Sequence, residues 1–338
     1  MDYENFKADL TSALEDLGYS RDKLMFSENQ KNNGVTVRAL TVKNTDSPIA
    51  PCINLEKLIE DHATGASMDE IAAFIDNIIK QQPDFSQTDF SLTWDRVKDN
   101  VVFVLVNGEN NKELLDNAPH ISFRDFAMIY KIDTNFIGIP GMITVKDDLM
   151  KMLGVDSKTL LDAALENTPR LMPVYTGKLQ DVMAEMMGIP MDAEIPADMD
   201  MPDIIISSNT DKCYGASAML YAGFQDKLGE MGIEDCYVLP SSVHECLMVA
   251  DNFERGREDL EDMVRSVNAS DCVSDMEFLS NKVYRYSEIR KGFNDAIAME
   301  MGNYKAESKG VRGEIEEIKA EMAANDMAEL SPDKTMKK

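Results

Sequence analysis

Residues Tyr237–Val249 read YVLPSSVHECLMV, two apolar runs separated by Pro240-Ser241-Ser242. Proline cannot donate to a sheet ladder, and serine hydroxyls bond to nearby backbone, so the triplet is turn chemistry. A hairpin is expected, with strands Cys236–Leu239 and Val243–Ala250. Upstream, Asp203–Ser208 reads as a strand and Ala216–Met231 as a helix that closes near Gly232. Downstream, Arg257–Val267 has helical period and Phe278–Tyr286 alternates like a strand around Val283. The order β-α-β-β-α-β is that of a ferredoxin-like, split βαβ unit.

The first half mixes helices with short sheets. Phe6, Leu10, Ala13, Leu14 and Leu17 repeat at helical spacing, and Gly18 stands where a left-handed C-terminal residue is wanted. In KLMFSENQKNNGVTVRALTV two extended runs flank Asn32-Asn33-Gly34, the signature of a second hairpin. A helix near Leu55–His62 follows, then one opened by the capping box Ser67-Met68-Asp69-Glu70, with Ile71, Phe74, Ile75, Ile78 and Ile79 as its apolar stripe. Val101–Val106 predicts a fully buried strand, Asn110–Asn117 a short helix and Phe126–Ile132 another strand. From Ile143 to Gly188 the pattern is mostly helical. The expected class is α+β in two mixed lobes, 1–140 and 203–290. A helical connection, 141–202, carries an acidic Pro- and Met-rich loop at Gly188–Asp203. A polar tail over 300–338 is expected to be partly disordered or one short helix.

The 338 residues carry 61 acidic and 34 basic side chains, a net charge of −27. Such a surface repels a phosphate backbone, so nucleic-acid binding through a general basic surface is not expected. The five cysteines are odd in number and form no CxxC, which fits free thiols in a reducing cytosol. MDYENFKADL has neither the basic nor the apolar region of a signal peptide, and VVFVLV is strand-sized, so a cytoplasmic protein without a membrane partner is expected.

The hairpin gathers Ser242, His244, Glu245 and Cys246, the residue types of nucleophilic catalysis and metal ligation. On a strand, however, His244 and Cys246 share a face about 6.5–7 Å apart. A nucleophile and its base need about 2.6–3.2 Å. The plainer reading makes His244 and Glu245 partners of turn amides or of a neighbouring strand. At Ser207–Ser217 a strand runs into a helix, and Gly215 and Ser217 there could hold an anion. Neither GxGxxG nor a P-loop is present, so no cofactor is expected. Met191, Met199 and Met201 among Asp192, Asp198, Asp200 and Asp203 lack EF-hand spacing and read as a solvated loop, so no metal is expected. His62 and His120 are each placed at a helix C-terminus, where the dipole favours imidazolium.

KNNGVTVRALTV, GENNKELLDNAPHISFRDFAMIYKI, GASAMLYAG and YVLPSSVHECLMVADN together resemble an uncharacterised domain-of-unknown-function family of gut Firmicutes. The likeness runs from the first helix to about Tyr286. Its most specific piece is Pro240-Ser241-Ser242 with His244-Glu245, after Gly215, Ala216 and Ser217. Cys246 is not part of that pattern, and the loop at Gly188–Asp203 and the tail look like additions of this chain. The second lobe is also similar to another poorly characterised Firmicutes family. Neither resemblance implies an activity; both imply a bacterial cytosolic protein.

The leading expectation is a non-catalytic interaction or regulatory protein that binds a protein partner or self-associates. One alternative is a hydrolase-type enzyme with its site beside 240–246, using Ser242, His244 and Glu245. Another is a protein of phage or mobile-element conflict.

Overall fold

The computed structural model describes residues 2–43, 50, 52–81, 89–186, 204–250, 256–270 and 272–302. The acidic loop expected at Gly188–Asp203 and the tail beyond residue 302 lie outside these residues.

Three antiparallel sheets and their helices make an α+β protein. The first sheet pairs β1 (Leu24–Gln30), β2 (Thr36–Val42) and β3 (Cys52–Asn54) in chain order. Against it pack α1 (Tyr3–Asp16), α2 (Glu56–Ala63) and α3 (Met68–Lys80), around Phe6, Leu10, Leu14, Leu40, Leu55 and Ile75. The capping box forms: the Ser67 hydroxyl accepts from the Glu70 amide at 3.2 Å, and the Glu70 carboxylate accepts from the Ser67 amide at 2.8 Å. Of the stripe on α3, Ile71 and Ile75 are buried while Phe74 is 53% exposed. The β1–β2 turn needs left-handed backbone at Asn33 (φ 58°) and Gly34 (φ 71°), and Asn-Gly supplies it.

Asn33 does a second job. Its Nδ2 donates to the carbonyls of Asp275 (2.8 Å) and Phe278 (2.7 Å), pinning the hairpin tip to a segment some 240 residues away in sequence. Asn33→Ala removes both bonds, a third that its Oδ1 accepts from Asn111, and a residue tolerant of positive φ, so urea unfolding should show a loss of about 2 kcal/mol.

The second sheet holds β4 (Val101–Asn107), β5 (His120–Phe123), β6 (Phe126–Asp133) and β7 (Met142–Thr144). β4 runs along one edge of β6, while β5 and β7 share the other. β4 is buried throughout, as its unbroken apolar run requires. α4 (Trp94–Val97) precedes this sheet and α5 (Lys112–Leu115) lies within it. His120 opens β5 instead of closing a helix, because 120–123 pairs with 126–129. α6 (Asp147–Leu153) and α7 (Ser157–Leu171) follow.

The third sheet corrects the sequence reading in three places. β8 (Val174–Lys178) lies inside a segment expected to be helical and forms by pairing with β9 (Ile204–Asn209). After β8 comes α8 (Leu179–Met186). The expected helix over 216–231 divides into a 3-10 helix, Gly215–Leu220, and α9 (Phe224–Glu230). Beyond β10 (Cys236–Leu239), β11 spans only Cys246–Ala250. Residues 241–243 instead bond to 277–279: the Val243 amide donates to the Glu277 carbonyl and the Leu279 amide to that of Ser241, each at 2.8 Å. α10 (Arg257–Asn268) and the two-residue β12 (Tyr284–Arg285) complete the unit. A further helix covers 286–302.

The elements follow one another as expected, but the ferredoxin-like arrangement does not form. The strand order is β12-β10-β11-β9-β8, so the last strand stands beside β10, the second of the unit, where a ferredoxin-like sheet would put it beside the first. One core joins the second and third sheets, with Phe103, Met128 and Tyr130 packed among Met219, Phe224 and Tyr286.

Candidate functional site

The hairpin turn and the strand-to-helix junction meet around one residue, Tyr214. The chain leaves β9 through Lys212 (φ 52°) and Tyr214 (φ 55°), two non-glycine residues in left-handed backbone. Such conformations cost of order 1–3 kcal/mol and persist only where surrounding contacts enforce them. Here the enforcement is visible. The Tyr214 amide donates to His244 Nδ1 at 3.2 Å, and the Tyr214 carbonyl accepts from the buried Ser217 hydroxyl at 2.8 Å. Gly215 admits no side chain: a Cβ would lie 2.1 Å from Ser208 Oγ, 2.5 Å from the His244 carbonyl and 2.6 Å from the Asn209 amide.

Ser217, Ser242 and His244 are each taken up by neighbouring backbone. Ser242 Oγ accepts from the His244 amide at 3.1 Å. Because His244 Nδ1 is an acceptor, its proton sits on Nε2, which faces Glu277 Oε1 at 3.6 Å. Glu245 is exposed and apart from the others. Cys246 is buried, and burial raises its thiol far above the usual range, away from thiolate chemistry. Since residues 243–245 are not in a strand, the alternation expected of His244 and Cys246 does not arise. The geometry brings Gly215, Ser217, Ser242 and His244 together and makes them a support for Tyr214.

What Tyr214 faces is a cleft of about 820 Å³ between the tip of the β1–β2 hairpin, the 110–117 segment and the β6–β7 edge. Strand alternation puts Ala127, Ile129 and Lys131 of β6 on one face. The first two pack with Val104, Val106 and Tyr214, and Lys131 takes the next position at the cleft wall. Lys131 is only 8% exposed. Its Nζ donates to Thr144 Oγ1 at 2.9 Å and sits 4.9 Å from the centroid of the Tyr214 ring. Burial lowers its pKa to about 8; Lys31 acts in the same direction, and Cys213 against it. The cleft is held open by amides: Asn111 Nδ2 bonds the Asn107 carbonyl (2.8 Å) and Asn33 Oδ1 (2.9 Å), and Asn111 Oδ1 accepts from the Asn33 amide (2.9 Å).

Sequence reasoning passed over Lys131, although a signal was present. FAMIYKID is an apolar strand with one lysine inside it, and a lysine on a buried strand face is a rare placement.

The fold and this site define a three-sheet α+β protein with a polar cleft floored by a buried lysine. The chain matches a family of unknown function, DUF5688, over residues 3–288, and it belongs to that family. The matched span contains every cleft residue named above. No curated protein and no solved structure matches the chain. Among the described residues, no helix is long and apolar enough to cross a membrane.

Proposed function

We propose that this is a non-catalytic binding protein of a bacterial cytosol, and that the cleft over Lys131 is where it takes a small polar ligand. The observation that carries the reading is the cleft itself: two sheets meet there, and the pocket-sized space is lined by polar groups from their strands and from the turns and short helices beside them. The surroundings of His244 support a non-catalytic role. One ring nitrogen is occupied by a backbone amide and the other faces a carboxylate, while Ser242 Oγ accepts from a backbone amide. A nucleophile–base pair needs a free imidazole nitrogen at the hydroxyl. A cytosolic location is supported by five free cysteines. A regulatory role would follow if ligand occupancy altered a surface that contacts another protein or a second copy.

The test is NMR on the full chain with a mixed panel of polar metabolites. The expected result is amide shifts confined to Lys131, Thr144, Tyr214 and their neighbours, with the metabolites recovered unchanged. Turnover of a metabolite, or shifts confined to other surfaces, would contradict the proposal.

A further inference from the structure

We infer that the ligand of this cleft carries an anionic group, a carboxylate or a phosphate, that seats on the Lys131 ammonium. The inference rests on the binding reading above and adds the ligand's chemical class. An ammonium has three donors. Lys131 places one on a neutral oxygen, Thr144 Oγ1, and rests against the face of Tyr214. No carboxylate pairs with it among the described residues. The nearby charge that acts on it is Lys31, of the same sign, while burial raises the Cys213 thiol and keeps it neutral at pH 7. A buried cation without a counter-ion is costly, and a second lysine nearby adds to that cost. An anion in the cleft offsets both penalties, so the site gains affinity from a charge that the free protein holds unfavourably.

The lining also limits the size of the charge. Glu28, Glu113 and Asp148 are exposed on the cleft's margin, with Asp147 half-buried beside them. Together they disfavour an anion that spreads along the margin and favour one compact enough to reach Lys131. Lys31, Lys146 and Lys151 are exposed at the same margin, so Lys131 is the buried cationic anchor of the cleft.

Calorimetric titration of the full chain with inorganic phosphate, with citrate and with glucose tests this directly, on wild type, Lys131→Met and Thr144→Val. The expected result is binding of phosphate or citrate to wild type, weakened at least tenfold in Lys131→Met and several-fold in Thr144→Val, with no binding of glucose. Phosphate alone binding would assign a phosphate group, and citrate alone a carboxylate. Glucose binding equally to wild type and Lys131→Met would overturn the anion inference while leaving the binding reading intact. Anions that bind Lys131→Met as well as wild type, or that fail to bind wild type at millimolar concentration, would overturn it too. If Lys131→Met does not fold, as judged by circular dichroism, Thr144→Val supplies the comparison.

Discussion

Lys131→Met should be more stable than wild type at pH 7, by about 3 kcal/mol at most, while it loses anion binding. The lysine is depressed from 10.5 to about 8 in the folded protein, and each unit is worth roughly 1.4 kcal/mol. Loss of the bond to Thr144 offsets about 1 kcal/mol of the gain. The sign follows from which state holds the proton more tightly. Between about pH 8 and 10.5 the unfolded chain is protonated at Lys131 and the folded chain is not, so wild-type stability gains with rising pH across that window. Methionine has no such dependence. The gap between the two proteins should therefore be widest at and below pH 7 and close towards pH 10.5. Urea unfolding at pH 7 and pH 10 measures it, and groups common to both proteins cancel in the difference. A variant less stable than wild type at pH 7, or a gap that ignores pH, would count against a depressed, unpaired lysine.

Gly215→Ala should cost about 4 kcal/mol, at the upper end of the range for a single substitution. The added methyl meets Ser208 Oγ, the His244 carbonyl and the Asn209 amide, all within 2.6 Å. A hydroxyl can rotate away, but two of these atoms belong to backbone that is fixed in its place. The Ser208 hydroxyl also donates to the His244 carbonyl at 2.7 Å, so relief at one contact breaks a bond at another. Overpacking of a tight site costs typically 1–3 kcal/mol, and backbone clashes on two sides exceed that. The damage should reach the cleft, because Gly215 adjoins Tyr214. Urea unfolding with a change below 1 kcal/mol would show that the junction is looser than described.

Much of the local structure was legible because local chemistry decides it. Cys236–Leu239 forms as expected, and so do the Asn33-Gly34 turn, the Ser67–Glu70 capping box and the buried strand at 101–106. The turn and the capping box depend on neighbours within a few residues, and the two strands announce themselves as short apolar runs bounded by turn residues. What was not legible depends on partners far along the chain. Val174–Lys178 becomes a strand on the edge that β9 offers; Val174, Tyr175 and Thr176 favour a strand, but the helical pattern on both sides hides so short a run. The strand expected over 278–286 shrinks to Tyr284–Arg285, since 277–279 pairs with the turn at 241–243 and the helix starts at residue 286. The same holds at the site. His244 stands out in the sequence for its chemistry, but its role is set by an amide 30 residues away. Lys131 stands out as an isolated charge in an apolar strand, yet only the assembled fold shows that no carboxylate among the described residues comes to meet it.

The buried ammonium of Lys131, with no counter-ion among the described residues, is the proposed anchor for an anion in the cleft. NMR of the Lys131 side-chain methylene beside Nζ, titrated with pH in the absence and presence of saturating inorganic phosphate, tests it most directly. The account predicts a midpoint near 8 in the free protein, raised by about one unit or more when phosphate is bound, because the anion stabilises the charged form. A midpoint near the ordinary 10.5 that phosphate leaves unmoved would contradict it.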